Sequence, residues 1–151
     1  MPLDQSFVGR VYPPTEPYEV SRAKIREFAE AVGDRHPAYR DRAAAEKLGQ
    51  PEVFGPPTFA IVISMPAADQ VVKDPALGLD WSRVVHGDQR FVYRRPLRAG
   101  DRIVAVVRVA SIKALAGNDL INLVTELQTE DGELVCTAYA LLVSRAGGED
   151  R

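Results

Sequence analysis

Asp34 and His36 stand two residues apart, with Pro37 next and Tyr39 two residues further on. A proline disfavours helical backbone in the residue before it, so His36 is expected in an extended conformation. In an extended segment alternate side chains share a face, which turns a carboxylate and an imidazole the same way. That pairing suits proton transfer, the carboxylate and the ring being the two commonest general acids and bases. Tyr39 has a phenol with an ordinary pKa of about 10, a hydrogen-bond donor and a poor base near neutrality. Asp34 also follows the end of a helical pattern, where a negative charge is poorly placed unless it is used. Each residue has a plainer use as well: Asp34 as a solvated loop carboxylate, His36 as a hydrogen-bonding loop residue, Tyr39 as a packed ring.

The elements around this trio are legible from periodicity. Ser21 is a suitable N-cap for a helix carrying Ile25, Phe28, Ala29 and Val32 on one stripe, with Gly33 as its stop. A second short helix is expected after Asp41, through three alanines to Gly49. From Phe59 to Ala68 every residue except Ser64 is apolar or proline, so a helix there has no face to offer water and is expected to be wrapped. Pro56-Pro57 sets an extended lead-in, Thr58 is the expected N-cap, and Pro66 interrupts the ladder. The start of that helix points free N–H groups outward and can receive an anion or a polarised carbonyl. Ser64 is expected to bond back to a helical carbonyl.

Beyond Trp81 the pattern changes to strands. Gln89, Phe91 and Tyr93 alternate with Arg90, Val92 and Arg94, and Val/Ile-rich runs follow at 103–112, 120–129 and 134–144, separated by turns at 116–119 and Asp131-Gly132. Arg90, Arg94, Arg95, Arg98 and Arg102 crowd one hairpin, a density that suits phosphates or an acidic protein face, though a solvated strand face explains such runs too. His86 opens the first strand. The whole is read as one α+β domain over 1–151, with an arm at 1–20 kept irregular by Pro13, Pro14 and Pro17 and a polar tail at 146–151. With 46% hydrophobic residues, net charge −2 and one cysteine, the chain has material for one core. It has no internal disulfide or cysteine metal cluster, and little general affinity for nucleic acid. No apolar run reaches the roughly 20 residues of a membrane span, and the expected location is cytoplasmic.

Gly33-Asp34-Arg35-His36-Pro37-Ala38-Tyr39 resembles the Gly-Asp-x-Asn-Pro-x-His segment of MaoC-like, R-specific hydratases and dehydratases. Pro56-Pro57-Thr58-Phe59, His86-Gly87-Asp88-Gln89, Arg95-Pro96-Leu97 and Gly100-Asp101 are similar to the N-terminal type of that domain, in the same order, from about Val8 to Val143. The resemblance implies a hot-dog fold, an antiparallel sheet curled round a long apolar central helix. It implies a 3-hydroxyacyl thioester carried on coenzyme A or on the phosphopantetheine of an acyl carrier protein, with no other cofactor and no metal. In the family an Asp and a His share the proton work; Asp34 matches the first, and Tyr39 stands at the second. The implied catalytic positions are therefore Asp34, His36 and Tyr39, and the implied substrate-binding positions are Gly55, Thr58, Phe59, His86 and Arg90. With the histidine replaced, the expected role is that of an acyl-chain-holding subunit of a dehydratase, paired with a related hot-dog chain that has both groups. A homodimeric hydratase using Asp34 and His36 is the alternative. A thioesterase using a helix carboxylate such as Asp69, or a non-enzymatic acyl-thioester binder, ranks lower.

Overall fold

The N-terminal arm lies along the edge of strand β3 (Arg102–Leu115), where Gly9, Tyr12 and Thr15 N–H groups donate to the carbonyls of Val109, Val107 and Ala105. Its prolines break the ladder, so the arm covers that edge without becoming a full strand, and only Tyr18–Glu19 pairs regularly as β1. This computed structural model describes residues 3–145; the tail at 146–151 lies outside the described residues.

Ser21 caps α1 (Arg22–Val32) by accepting the Lys24 N–H, and Gly33 ends it at φ 76°, a left-handed conformation that favours glycine. Ile25 and Ala29 are buried, but Val32 is 52% exposed, because the last turn runs past the sheet toward the Gly33 loop. Asp41 caps α2 (Arg42–Lys47) by accepting the Ala43 N–H.

The apolar helix α3 spans Ile61–Val72 and packs against β3 and β4 (Asn118–Thr129). It departs from expectation in three ways. Thr58 is not its N-cap: residues 57–60 form a turn tied by Phe59 N–H to Pro56 O and Ile61 N–H to Thr58 O, and Ala60 occupies the cap position with no side-chain cap. Nor is α3 covered all round within one chain. Ile63, Ser64, Ala67, Ala68 and Val71 are buried, whereas Met65, Pro66 and Asp69 face outward. Pro66, which breaks the helical ladder, sits on this open face. Ser64 does not bond back either; its buried Oγ has no partner among the described residues, and the Ala60 carbonyl accepts the Ile63 and Ser64 N–H groups.

The sheet is antiparallel, in the order β1-β3-β4-β5-β2, with β2 at Val84–Tyr93 and β5 at Leu134–Ser144. Burial in β2 follows the sequence alternation: Gln89, Phe91 and Tyr93 face inward, and Arg90 and Val92 outward. β2 bonds only to β5, so its outer side is an open edge among the described residues. Phe59, fully buried, meets Phe28 edge-on with ring centroids 5.5 Å apart and ties α1 to the start of α3.

Candidate active site

Where the Gly33 loop, the turn before α3 and the end of β2 converge, a cleft of about 370 Å³ opens between Tyr39, Phe54, Gly55, Pro57, Tyr93 and the Arg94–Pro96 segment. Its size is within the range of small-ligand sites.

The loop is built by local hydrogen bonds. Asp34 N–H donates to the Ala29 carbonyl, finishing α1, and its Oδ1 accepts the His36 N–H at 3.2 Å. His36 Nδ1 accepts the Ala38 N–H at 3.1 Å, which starts the short turn of Pro37–Tyr39 and leaves the proton of a neutral ring on Nε2. The His36 side chain is exposed, its ring 5.8 Å from that of Tyr39. Tyr39 is buried edge-on against Phe54 at 5.6 Å. Burial, followed by the charge and hydrogen bond of Asp34, pushes the Tyr39 phenol above its ordinary value. Burial above all, with the Asp34 charge beside it, therefore favours the neutral phenol, which is opposite to what a base requires.

The amides at the tip of α3 are mostly engaged. Gly55 N–H donates to the Leu97 carbonyl at 2.7 Å, Phe59 N–H to Pro56, and the Ala60 N–H to the Tyr93 hydroxyl at 3.2 Å. Pro56 and Pro57 have no N–H. The exposed Thr58 N–H is the amide of this turn left without an acceptor among the described residues. Gly55 cannot carry a side chain, because a Cβ there would lie 2.7 Å from Phe59 Cβ. Burial pushes the Tyr93 phenol well above its usual range, so the cap stays protonated.

One wall of the cleft is held by a charge cluster. The Arg95 guanidinium donates to both Asp101 carboxylate oxygens at 2.9 and 3.0 Å and through Nε to Glu133 at 2.7 Å. Asp101 also accepts the Arg98 N–H. Hydrogen bonding to Asp101 above all raises the Arg95 pKa further.

Of the residues singled out from the sequence, Asp34, His36, Tyr39, Gly55 and Thr58 meet at this end of the fold, and Phe59 lies behind it in the core. His86 and Arg90 lie elsewhere. The His86 Nε2 is 3.0 Å from the Asp88 carbonyl and lines a second groove with Met65, Trp81 and Val84. Seven residues of strand separate it from Tyr93, roughly 23 Å at about 3.3 Å per residue. The Arg90 guanidinium stacks 4.1 Å above the Tyr139 ring on the outer face. Phe54, Tyr93 and the Arg94–Pro96 segment were not foreseen as cleft walls. Alternation along β2 placed Tyr93 inward, but periodicity does not say which strand end meets which helix end.

A single antiparallel sheet curled against one apolar helix, with the Gly33-Asp34 loop at the helix tip, defines a MaoC-like hot-dog domain. The family model "FAS1-like, dehydratase domain region" matches residues 6–138, and the chain belongs to that family. A UPF0336 protein of Saccharopolyspora erythraea is 59% identical over 150 residues, 99% of this chain and 96% of that protein. Among solved structures, a MaoC-like dehydratase matches with TM-score 0.86 and 34% identity over 94% of this chain, which spans 43% of that longer protein. The 3R-hydroxyacyl-ACP dehydratase complex HadBC of Mycobacterium tuberculosis matches with TM-score 0.81 and 32% identity, covering 91% of this chain and 96% of the matched one.

Proposed function

We propose that this chain is the acyl-holding member of a two-chain R-specific 3-hydroxyacyl-thioester dehydratase, and that its partner hot-dog chain performs the proton transfer. Dehydration needs a base for the C2 proton, an acid for the C3 hydroxyl and donors for the enolate oxygen. The observation that carries the reading is Tyr39: at the position expected for the histidine stands a phenol whose affinity for its proton is strengthened by burial first and by the neighbouring Asp34 second. The engaged Gly55 and Ala60 amides support it, since one exposed Thr58 N–H is left where paired donors are usual. The dehydratase complex from Mycobacterium tuberculosis is named for two chains, and the open face of α3 beside the unpaired β2 edge suits a second hot-dog chain. Location in the cytoplasm fits a thioester substrate.

The self-sufficient alternative leans on His36, yet its Nδ1 is committed to Ala38. The thioesterase alternative leans on Asp69, which is exposed, pairs with Lys73 at 3.7 Å and does not line the cleft. The test is hydration of crotonyl- and longer enoyl-coenzyme A, followed as loss of enoyl absorbance. The reading expects silence from the chain alone and activity once a hot-dog chain with the complete Asp/His pair is added. Hydration by the purified chain alone contradicts it.

A further inference from the structure

An antiparallel sheet that covers a core on one side carries polar residues on the other. Here the outward positions of β3, β4, β5 and β2 include Val104, Val106, Val124, Leu141, Val143 and Val92, the last 47% exposed. The arm adds Val11, 60% exposed, which bridges by its backbone to Arg108 beside them. α3 lies on the opposite side, its Ala68 and Val71 clustered with Val107, Val109, Ile121 and Leu123. Two charges stand among the outward valines. In the β3–β4 register Val106 is opposite Glu126 and Arg108 opposite Val124, so the charges occupy one diagonal of a four-residue patch and the valines the other. With Val11 these four line a depression of about 130 Å³. Neither charge makes an ion pair among the described residues; Glu126 accepts the Gln128 side-chain amide at 3.0 Å.

We propose that this outer sheet face is a self-complementary interface that takes a second copy of the chain. A two-fold axis lying in the interface along the Val106–Val124 diagonal lays each valine on its own counterpart and exchanges the two charges. Arg108 of each copy then meets Glu126 of the other, twice over. The perpendicular axis sets Arg108 on Arg108 and Glu126 on Glu126, which repulsion disfavours, so the charges fix the orientation. Four strands about 4.8 Å apart, each with about ten residues rising about 3.3 Å, make a face of roughly 600 Å² per copy. Two copies bury about 1,200 Å², the low end of stable interfaces, which suits association at micromolar concentration. The face is opposite to α3, so it leaves the open side of α3 free for a hot-dog partner and does not rest on the dehydratase reading.

The experiment is sedimentation equilibrium of the full chain over the micromolar range, with thermal melts to confirm folding. The variants are Arg108→Glu and Glu126→Arg, each alone and then mixed in equal amounts. Each alone sets like charges face to face and is expected to show half the wild-type mass, with self-association weakened at least tenfold. In the mixture one copy presents two acids and the other two bases, so association is expected to return to within about threefold of wild type. Where a reversal fails to fold, Arg108→Gln and Glu126→Gln take its place, each expected to weaken association at least threefold. A wild-type mass that never doubles over the range overturns the proposal and leaves the face to some other protein. Folded variants that associate like wild type also overturn it, and are the result expected if copies pair through the open β2 edge alone. Folded reversals whose mixture stays apart overturn it as well.

Discussion

Replacing Tyr93 by Phe removes one oxygen and asks whether the tip of α3 is really closed by a side chain. The Tyr93 hydroxyl is the acceptor for the Ala60 N–H at 3.2 Å, and Ala60 is fully buried. In Tyr93→Phe the ring still fills its place, so packing is kept while a buried amide loses its partner. An intramolecular hydrogen bond is worth about 1 kcal/mol net, and an orphaned buried donor costs about 1–3 kcal/mol. At 3.2 Å the bond is on the long side, which places the expected loss near 1.5 kcal/mol. For a domain of this size that is a fall in Tm of roughly 3–6 °C. Urea unfolding gives the free energy, and amide exchange at Ala60 gives the local effect, expected to accelerate more than exchange in β4. An unchanged midpoint with unchanged Ala60 protection refutes the cap.

Asp101→Asn leaves the half-buried Arg95 with Glu133 as its one carboxylate among the described residues, and is expected to cost about 3 kcal/mol, read as a lower urea midpoint at unchanged slope. Ala116 has φ 52° in the two-residue turn between β3 and β4, a conformation Asn tolerates better; Ala116→Asn is expected to stabilise by about 0.5 kcal/mol in the same assay. Burial raises the phenols of Tyr12, to about 12, and of Tyr18, Tyr39 and Tyr93, and raises the Cys136 thiol to about 12. The native state therefore keeps protons that the unfolded chain releases, so stability is full below about pH 9 and falls from there toward pH 12. A pH series of thermal melts checks this, and stability rising over that window contradicts it.

How far the sequence carries depends on whether a feature is local. Ser21, Gly33 and Asp41 acted as their residue types dictate because caps and stops are settled within a few residues. The alternation of β2 was equally readable. Thr58 failed as a cap because it lies inside a turn, tied by Phe59 N–H to Pro56 O, that displaces the helix start by two residues. The apolar run of α3 signals burial but not what performs it, and in one chain the sheet covers only one side. The position of Asp34 and His36 on a loop after Gly33 was legible from the helix stop, and the closure of the helix tip was not. That closure depends on Tyr93 and Leu97, which reach the tip through sheet topology alone.

The central claim is that this chain holds the acyl group while its partner moves the protons. It is tested most directly in the reconstituted pair by comparing Asp34→Asn in this chain with the same change at the matching aspartate of the partner. The account predicts that Asp34→Asn leaves the hydration rate within about twofold, while the partner's change removes a factor of order 100 or more, the usual weight of a general acid or base. A hundredfold loss from Asp34→Asn, with the partner's aspartate dispensable, contradicts it.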